Sequence, residues 1–183
     1  MENFLKLSPY IAWMVLMMAG LPYWLRTVCS GLLLLPLAWR LRESLKVDVP
    51  GIVAGVFAGL AVFLIWIAPE TFGWVATPEK PAVPYPYIQL VGSAFVIATA
   101  EELFFRDWLY NWLATSWSRK SAALLMLALF AVEHDKYICA LVAGAVYFAL
   151  YLRRGLASAI AAHVVTNFAL GVYVILTNRW YFW

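Results

Sequence analysis

The sequence predicts an all-α, polytopic membrane helix bundle of about seven transmembrane helices. Three observations carry that expectation: 65% of the 183 residues are hydrophobic, the mean hydropathy is +0.81, and only 13% of residues are charged. Soluble domains carry roughly 25% charged residues, and about 20 apolar residues per span leave room for about seven spans with short connections. No separate soluble domain fits in that length. The net charge of +3 is small and Lys and Arg fall at segment ends, so they report membrane topology and argue against a nucleic-acid partner. Cys29 and Cys139 stand far apart in apolar segments, without a CxxC partner. They read as packing residues, neither a disulfide nor a thiolate metal site.

In chain order, Glu2 beside Lys6 with no small-x-small cleavage site after the first apolar run reads as a retained anchor. A first span is expected over Ser8 to Gly20 and a second over Arg26 to Arg40, separated by Leu21-Pro22-Tyr23-Trp24. The third, Pro50 to Ala68, opens on Pro and carries Gly51, Gly55 and Gly59, a stripe for close helix packing. Pro69 to Pro86 holds five of the nine prolines and predicts a non-helical connection. It divides the chain into an accessory part, residues 1–85, and a catalytic core, residues 86–183. The fourth span is expected over Tyr87 to Ala114, the fifth over Ser121 to His134, the sixth over Tyr137 to Leu152 and the seventh over Leu156 to Thr177, followed by the interfacial tail Arg179-Trp180-Tyr181-Phe182-Trp183. Seven spans gather Lys6, Arg40, Arg42, Lys46, Arg119, Lys120, Arg153 and Arg154 on one side. The positive-inside rule then places the N-terminus in the cytoplasm and the C-terminus outside.

The fourth span contains Glu101, Glu102 and Arg106. An ionised group at bilayer depth costs roughly 2.5 to 3.5 kcal/mol, so it persists when paired, protonated or useful. Counting helical rise from the basic edge places Glu101 roughly 24 Å deep, His134 roughly 21 Å, Asn167 roughly 20 Å and His163 roughly 14 Å. Three helices thus bring polar groups to one broad layer. Glu102 and Arg106 have the i,i+4 spacing of an ion pair, which leaves Glu101 less compensated. Desolvation and a like-charged neighbour move such a carboxylate toward service as a base near neutral pH. In the last span Gly155, Ala159, His163, Asn167 and Gly171 recur every four residues on one face. Peptide hydrolysis needs a base for water and donors for the carbonyl oxygen. Glu101 with His134 supplies the first and His163 with Asn167 the second. Each residue also has a structural reading: Glu102–Arg106 as a pair holding helices in register, His134 as a solvated turn residue, His163 and Asn167 as interhelical hydrogen-bonding groups. Asp107, Glu133, Asp135 and Lys136 read as interface charges. A proton or ion transporter and a non-catalytic membrane scaffold are the competing functional classes.

With these residues assembled, the pattern resembles the CPBP family (CAAX prenyl protease and bacteriocin-processing, or Abi) of intramembrane proteases. Its EExxxR motif stands as Glu101-Glu102-Leu103-Phe104-Phe105-Arg106, its FxxxH motif as Phe130-Ala131-Val132-Glu133-His134 and its HxxxN motif as His163-Val164-Val165-Thr166-Asn167. The resemblance implies an intramembrane endopeptidase in which Glu101 activates water with His134, His163 and Asn167 orient the carbonyl or stabilise its oxyanion, and Glu102 and Arg106 support the site. It implies cleavage near the C-terminus of a lipid-anchored or hydrophobic peptide, in contact with membrane lipid, by a small prokaryotic-type member in the cell membrane. Two histidines and a carboxylate are also a donor set for Zn²⁺. Asn is a poor zinc ligand and Glu101 serves better as a base, so neither a cofactor nor a metal ligand is assigned.

Overall fold

The computed structural model describes residues 47–77 and 79–182, preceded by a helical stretch at 25–32 and by positions 12, 15 and 20–22. The expected first span and most of the second therefore lie outside the described residues. Five helices follow: α1 (Val49–Thr71), α2 (Pro86–Leu113), α3 (Arg119–Val132), α4 (Tyr137–Arg154) and α5 (Leu156–Thr177), closed by a 3-10 turn at Trp180–Phe182. No strand occurs among the described residues.

Four of these helices, α1, α2, α4 and α5, are long and apolar enough to cross a membrane. The expected count of about seven is not reached among the described residues, for two reasons. The first two spans fall outside them, and α3, the expected fifth span, has only 14 residues. At 1.5 Å per residue it is roughly 21 Å long, short of a hydrocarbon core of about 30 Å. The boundaries otherwise follow the expected segments closely. The largest difference is at Pro69, which falls inside α1 rather than opening the connection. It sits in the last turn, where few backbone bonds remain to be lost, and its carbonyl oxygen accepts from the N–H of Trp74 at 2.7 Å.

Helix α1 runs antiparallel to α4 and parallel to α5. Ion pairs mark the two ends of the α1–α4 contact: Asp48 with Arg154 at 3.6 Å on one side, Glu70 with Lys136 on the other. Lys136, expected as an interface charge, is half-buried against a Glu70 side chain that is only 6% exposed. The glycine stripe of α1 faces α5. A Cβ at Gly55 would lie 2.5 Å from the carbonyl oxygen of Ser158, and one at Gly59 still closer to that of Ala162. Glycine is thus required for the backbones to approach this closely. Thr166 uses the proximity, donating its hydroxyl to the Gly59 carbonyl at 2.9 Å. On the opposite face of α1, Val53, Phe57, Leu60 and Leu64 are exposed, a stripe suited to lipid. The expected α5 stripe is interrupted at its start, because Gly155 lies before the helix at φ 85 and caps α4. Both cysteines are free and half-buried.

Gly59→Ala forces backbones apart and is expected to destabilise the protein by about 1–3 kcal/mol, read as a lower midpoint of thermal unfolding in detergent. Phe57→Ala, on the outward stripe, is expected to leave that midpoint unchanged.

Candidate active site

Helix α2 carries the acidic pair through an altered backbone. Its α-helical segment Ala98–Glu102 is flanked by wider turns with i→i+5 bonding at Gly92–Ile97 and Leu103–Leu109. Such turns concentrate at functional sites because they change the phase of the side chains around the axis. Adjacent residues of an α-helix point about 100° apart, yet Glu101 and Glu102 both reach the imidazole of His163 on α5. Asn111 covers carbonyl groups of the widened segment, donating to the carbonyl of Asp107 at 2.7 Å and of Arg106 at 3.3 Å.

Glu102 and Arg106 are fully buried and pair at 3.1 Å, as their spacing predicts. The same Glu102 oxygen accepts from His163 Nδ1 at 2.8 Å. Arg106 donates a second nitrogen to the carbonyl of Gly144 on α4 at 3.3 Å and lies 4.4 Å from the ring centre of Phe130 on α3. One carboxylate and one guanidinium thereby connect four helices. Gly144 must be small, since a Cβ there would meet the Phe130 ring at 2.8 Å. His163, 3% exposed, stacks on Tyr147 at 4.7 Å with 21° between the rings.

Glu101 is also buried, and its Oε2 makes no hydrogen bond. Its polar neighbour is His163 Nε2 at 3.6 Å, too long for a direct N–H···O bond. His163 forms the link to a cavity of about 170 Å³ that it lines together with His134, Asn167, Ser93, Phe130 and Tyr147. The structure thus brings His134, His163 and Asn167 to one cavity, with Glu101 against His163 at its margin and Glu102–Arg106 behind. His134 donates from Nδ1 to the Phe130 carbonyl at 2.9 Å, since that oxygen only accepts. Its Nε2 is left available. Asn167 donates one N–H to the Ser93 carbonyl at 3.1 Å, and its amide carries a second. Glu133, in the turn after α3, is exposed at its surface. Loss of solvation and the charge of Glu101 nevertheless push its carboxyl up to about 7, so it senses the site electrostatically.

Spacing left three contributors unnamed. Tyr147 is an apolar-run residue with no motif, Thr166 lies unremarked inside His163-Val164-Val165-Thr166-Asn167, and Trp66 belongs to a helix without motifs. Zinc-type donors are present, but among the described residues no three His, Cys, Asp or Glu side chains are gathered as a metal ion would need. As arranged, the donor set does not fit a resident ion.

Residues 83–169 match the family described as Rce1-like, type II CAAX prenyl endopeptidase Rce1-like. This match, just under half of the chain, supports placing it with the CAAX proteases. The family is one of protease-type enzymes, and with four membrane-capable helices the chain is an integral membrane protein. The matched stretch contains Glu101, Glu102, Arg106, His134, His163 and Asn167; α1 and the C-terminal turn lie outside it. Neither a curated protein nor a solved structure matches the chain.

Arg106→Met would leave Glu102 charged and buried without its cation, and a broken buried pair costs about 3–5 kcal/mol. A marked fall in the unfolding midpoint is expected, with the double variant Glu102→Gln/Arg106→Met recovering part of it. Equal midpoints for wild type and Arg106→Met would contradict the pairing.

Proposed function

We propose that the protein is an intramembrane endopeptidase that cuts a lipid-anchored or hydrophobic peptide near its C-terminus, using water activated by Glu101. The observation that carries this reading is the 3.6 Å gap between an unpartnered, buried Glu101 oxygen and His163 Nε2, at the margin of a cavity shared with His134 and Asn167. A buried acceptor without a donor is uncommon in folded proteins and calls for an explanation. A water bound at the cavity side of His163, reached by the Glu101 carboxylate when substrate enters, would supply the donor and the nucleophile together.

In this mechanism the Glu101 carboxylate takes one proton from the water as its oxygen attacks the substrate carbonyl carbon. The negative charge moves to the carbonyl oxygen, where the second N–H of Asn167 and the His163 imidazole stabilise it. The C–N bond then breaks, and the proton held by Glu101 passes to the leaving nitrogen to give an amine and a carboxylic acid. Glu102 acts on orientation. By accepting from Nδ1 it fixes the ring of His163 with Nε2 toward Glu101, while Arg106 keeps Glu102 charged. His134 lines the same cavity and serves as the second proton-handling group.

Residues 86–183 form the catalytic core in this reading and residues 1–85 the accessory part. The cytoplasmic N-terminus and outward C-terminus follow from the distribution of Lys and Arg. The natural substrate is a membrane-resident peptide, since the cavity sits among helices built to contact lipid.

Purified protein in lipid nanodiscs, given synthetic hydrophobic peptides with and without a prenyl group, is expected to cleave at one bond. Glu101→Gln is expected to lower the rate by about 10²–10⁴-fold and Asn167→Ala by about 10²–10³-fold, with His134→Ala and His163→Ala also strongly impaired and unfolding midpoints near wild type. Activity is expected to withstand chelators. Undiminished cleavage by Glu101→Gln would overturn the mechanism.

A further inference from the structure

The catalytic cavity is closed by two rings from outside the family-matched segment, Trp66 of α1 and Phe182 of the C-terminal turn. Phe182 is 6% exposed and borders two spaces at once, the catalytic cavity of about 170 Å³ and a neighbour of about 230 Å³. That neighbour is charged, lined by Lys80, Glu133, Asp135 and Lys136, and it shares Lys80 and Tyr181 with a cleft of about 600 Å³. The ring of Phe182 is therefore part of the partition between an aromatic pocket and a polar path to the surface.

The partition is held by few contacts. Its element is a three-residue 3-10 turn that follows Asn178 in the left-handed region at φ 57. The Phe182 ring meets Tyr173 edge-on at 5.7 Å and Tyr181 at 4.4 Å, and the Lys136 ammonium lies 4.1 Å from its centre. Lys136 is itself anchored to Glu70 and to the Trp66 carbonyl. Both rings of the partition are thus tied through one lysine.

An apolar cavity of about 150 Å³ accommodates a benzene molecule, so the catalytic cavity holds one ring-sized side chain and little more. We propose that Phe182 is a specificity-determining residue: its ring caps the pocket that receives the substrate side chain beside the scissile bond, and limits that side chain to the size of a single ring. This rests on the proteolytic reading above. Removing the ring joins the pocket to the polar neighbour and admits bulkier groups.

The test uses full-length protein in lipid nanodiscs, carrying a tag without histidine, as wild type, Phe182→Leu and Phe182→Ala. The sequence has only two histidines, so diethyl pyrocarbonate modification followed by mass spectrometry reads His134 and His163 without any substrate. Modification of His163 at least fivefold faster in Phe182→Ala is expected, with Phe182→Leu intermediate and His134, which already borders the polar neighbour, as the reference. In parallel, two synthetic farnesylated peptides differing only in Leu or Trp beside the cut bond are compared. The ratio of kcat/KM for Trp over Leu is expected to rise at least tenfold in Phe182→Ala. An active Phe182→Ala enzyme with the wild-type ratio overturns the proposal, as do unchanged modification rates. Should wild type cleave neither peptide, the proteolytic reading fails, while the modification rates still decide whether Phe182 is the wall. Should Phe182→Ala unfold, Phe182→Leu decides both measurements.

Discussion

The structure depends on a buried charge arrangement in which Arg106 neutralises Glu102 and Glu102 in turn holds His163. Every member is at most 3% exposed, in a bundle whose outer surface is built for hydrocarbon. Isolated charges there would be costly, and even a paired charge is retained only when hydrogen bonds satisfy what remains. The Gly144 carbonyl, the Phe130 face and the His163 imidazole meet part of that requirement, while Glu102 Oε2 and Arg106 Nε stay without a hydrogen bond. Because they come from α4, α3 and α5, satisfying one charge pair fixes the relative placement of the helices that carry the site.

Close approach makes this possible. Glycines on α1 bring α5 within backbone contact, and Thr166 bonds to Gly59 three residues beyond His163. Between two widened turns of α2, two successive carboxylates reach a single ring. Glu102 is engaged by Arg106 and His163 Nδ1 while Glu101 has no cation beside it but His163, and on the proposed reading that division of labour between neighbouring acids separates scaffold from chemistry.

Much of this was legible from local spacing. The Glu102–Arg106 interval, the limits of α2, α4 and α5, and the Gly51-Gly55-Gly59 stripe all follow from helical periodicity, which acts over a few residues. What spacing did not reveal is set by contacts between distant segments. The shared aim of Glu101 and Glu102 at His163 depends on where α5 packs against α2, so it was invisible; local spacing paired Glu101 with His134 and assigned His163 to the oxyanion. Likewise Lys136 resembled a surface charge until Glu70, 66 positions earlier by number, was brought beside it. Helix α3 was expected as a span and does run back between the parallel helices α2 and α4, but its 14 residues fall short of the length that marks a full crossing. The family motifs located the polar groups of the candidate site but not Trp66 or Phe182, which line the cavity from outside the matched segment.

The central claim is that Glu101 and His163 act together on one water where the substrate carbonyl is attacked. A structure of the protein in a lipid nanodisc, bound to a peptide whose scissile bond is replaced by a hydroxyethylene group, tests this most directly. The account predicts the hydroxyl oxygen of that group between Glu101 Oε2 and His163 Nε2, within hydrogen-bonding distance of both. A peptide seated in the cavity with its hydroxyl out of reach of Glu101, or with the Glu101 carboxylate turned to lipid, would contradict it.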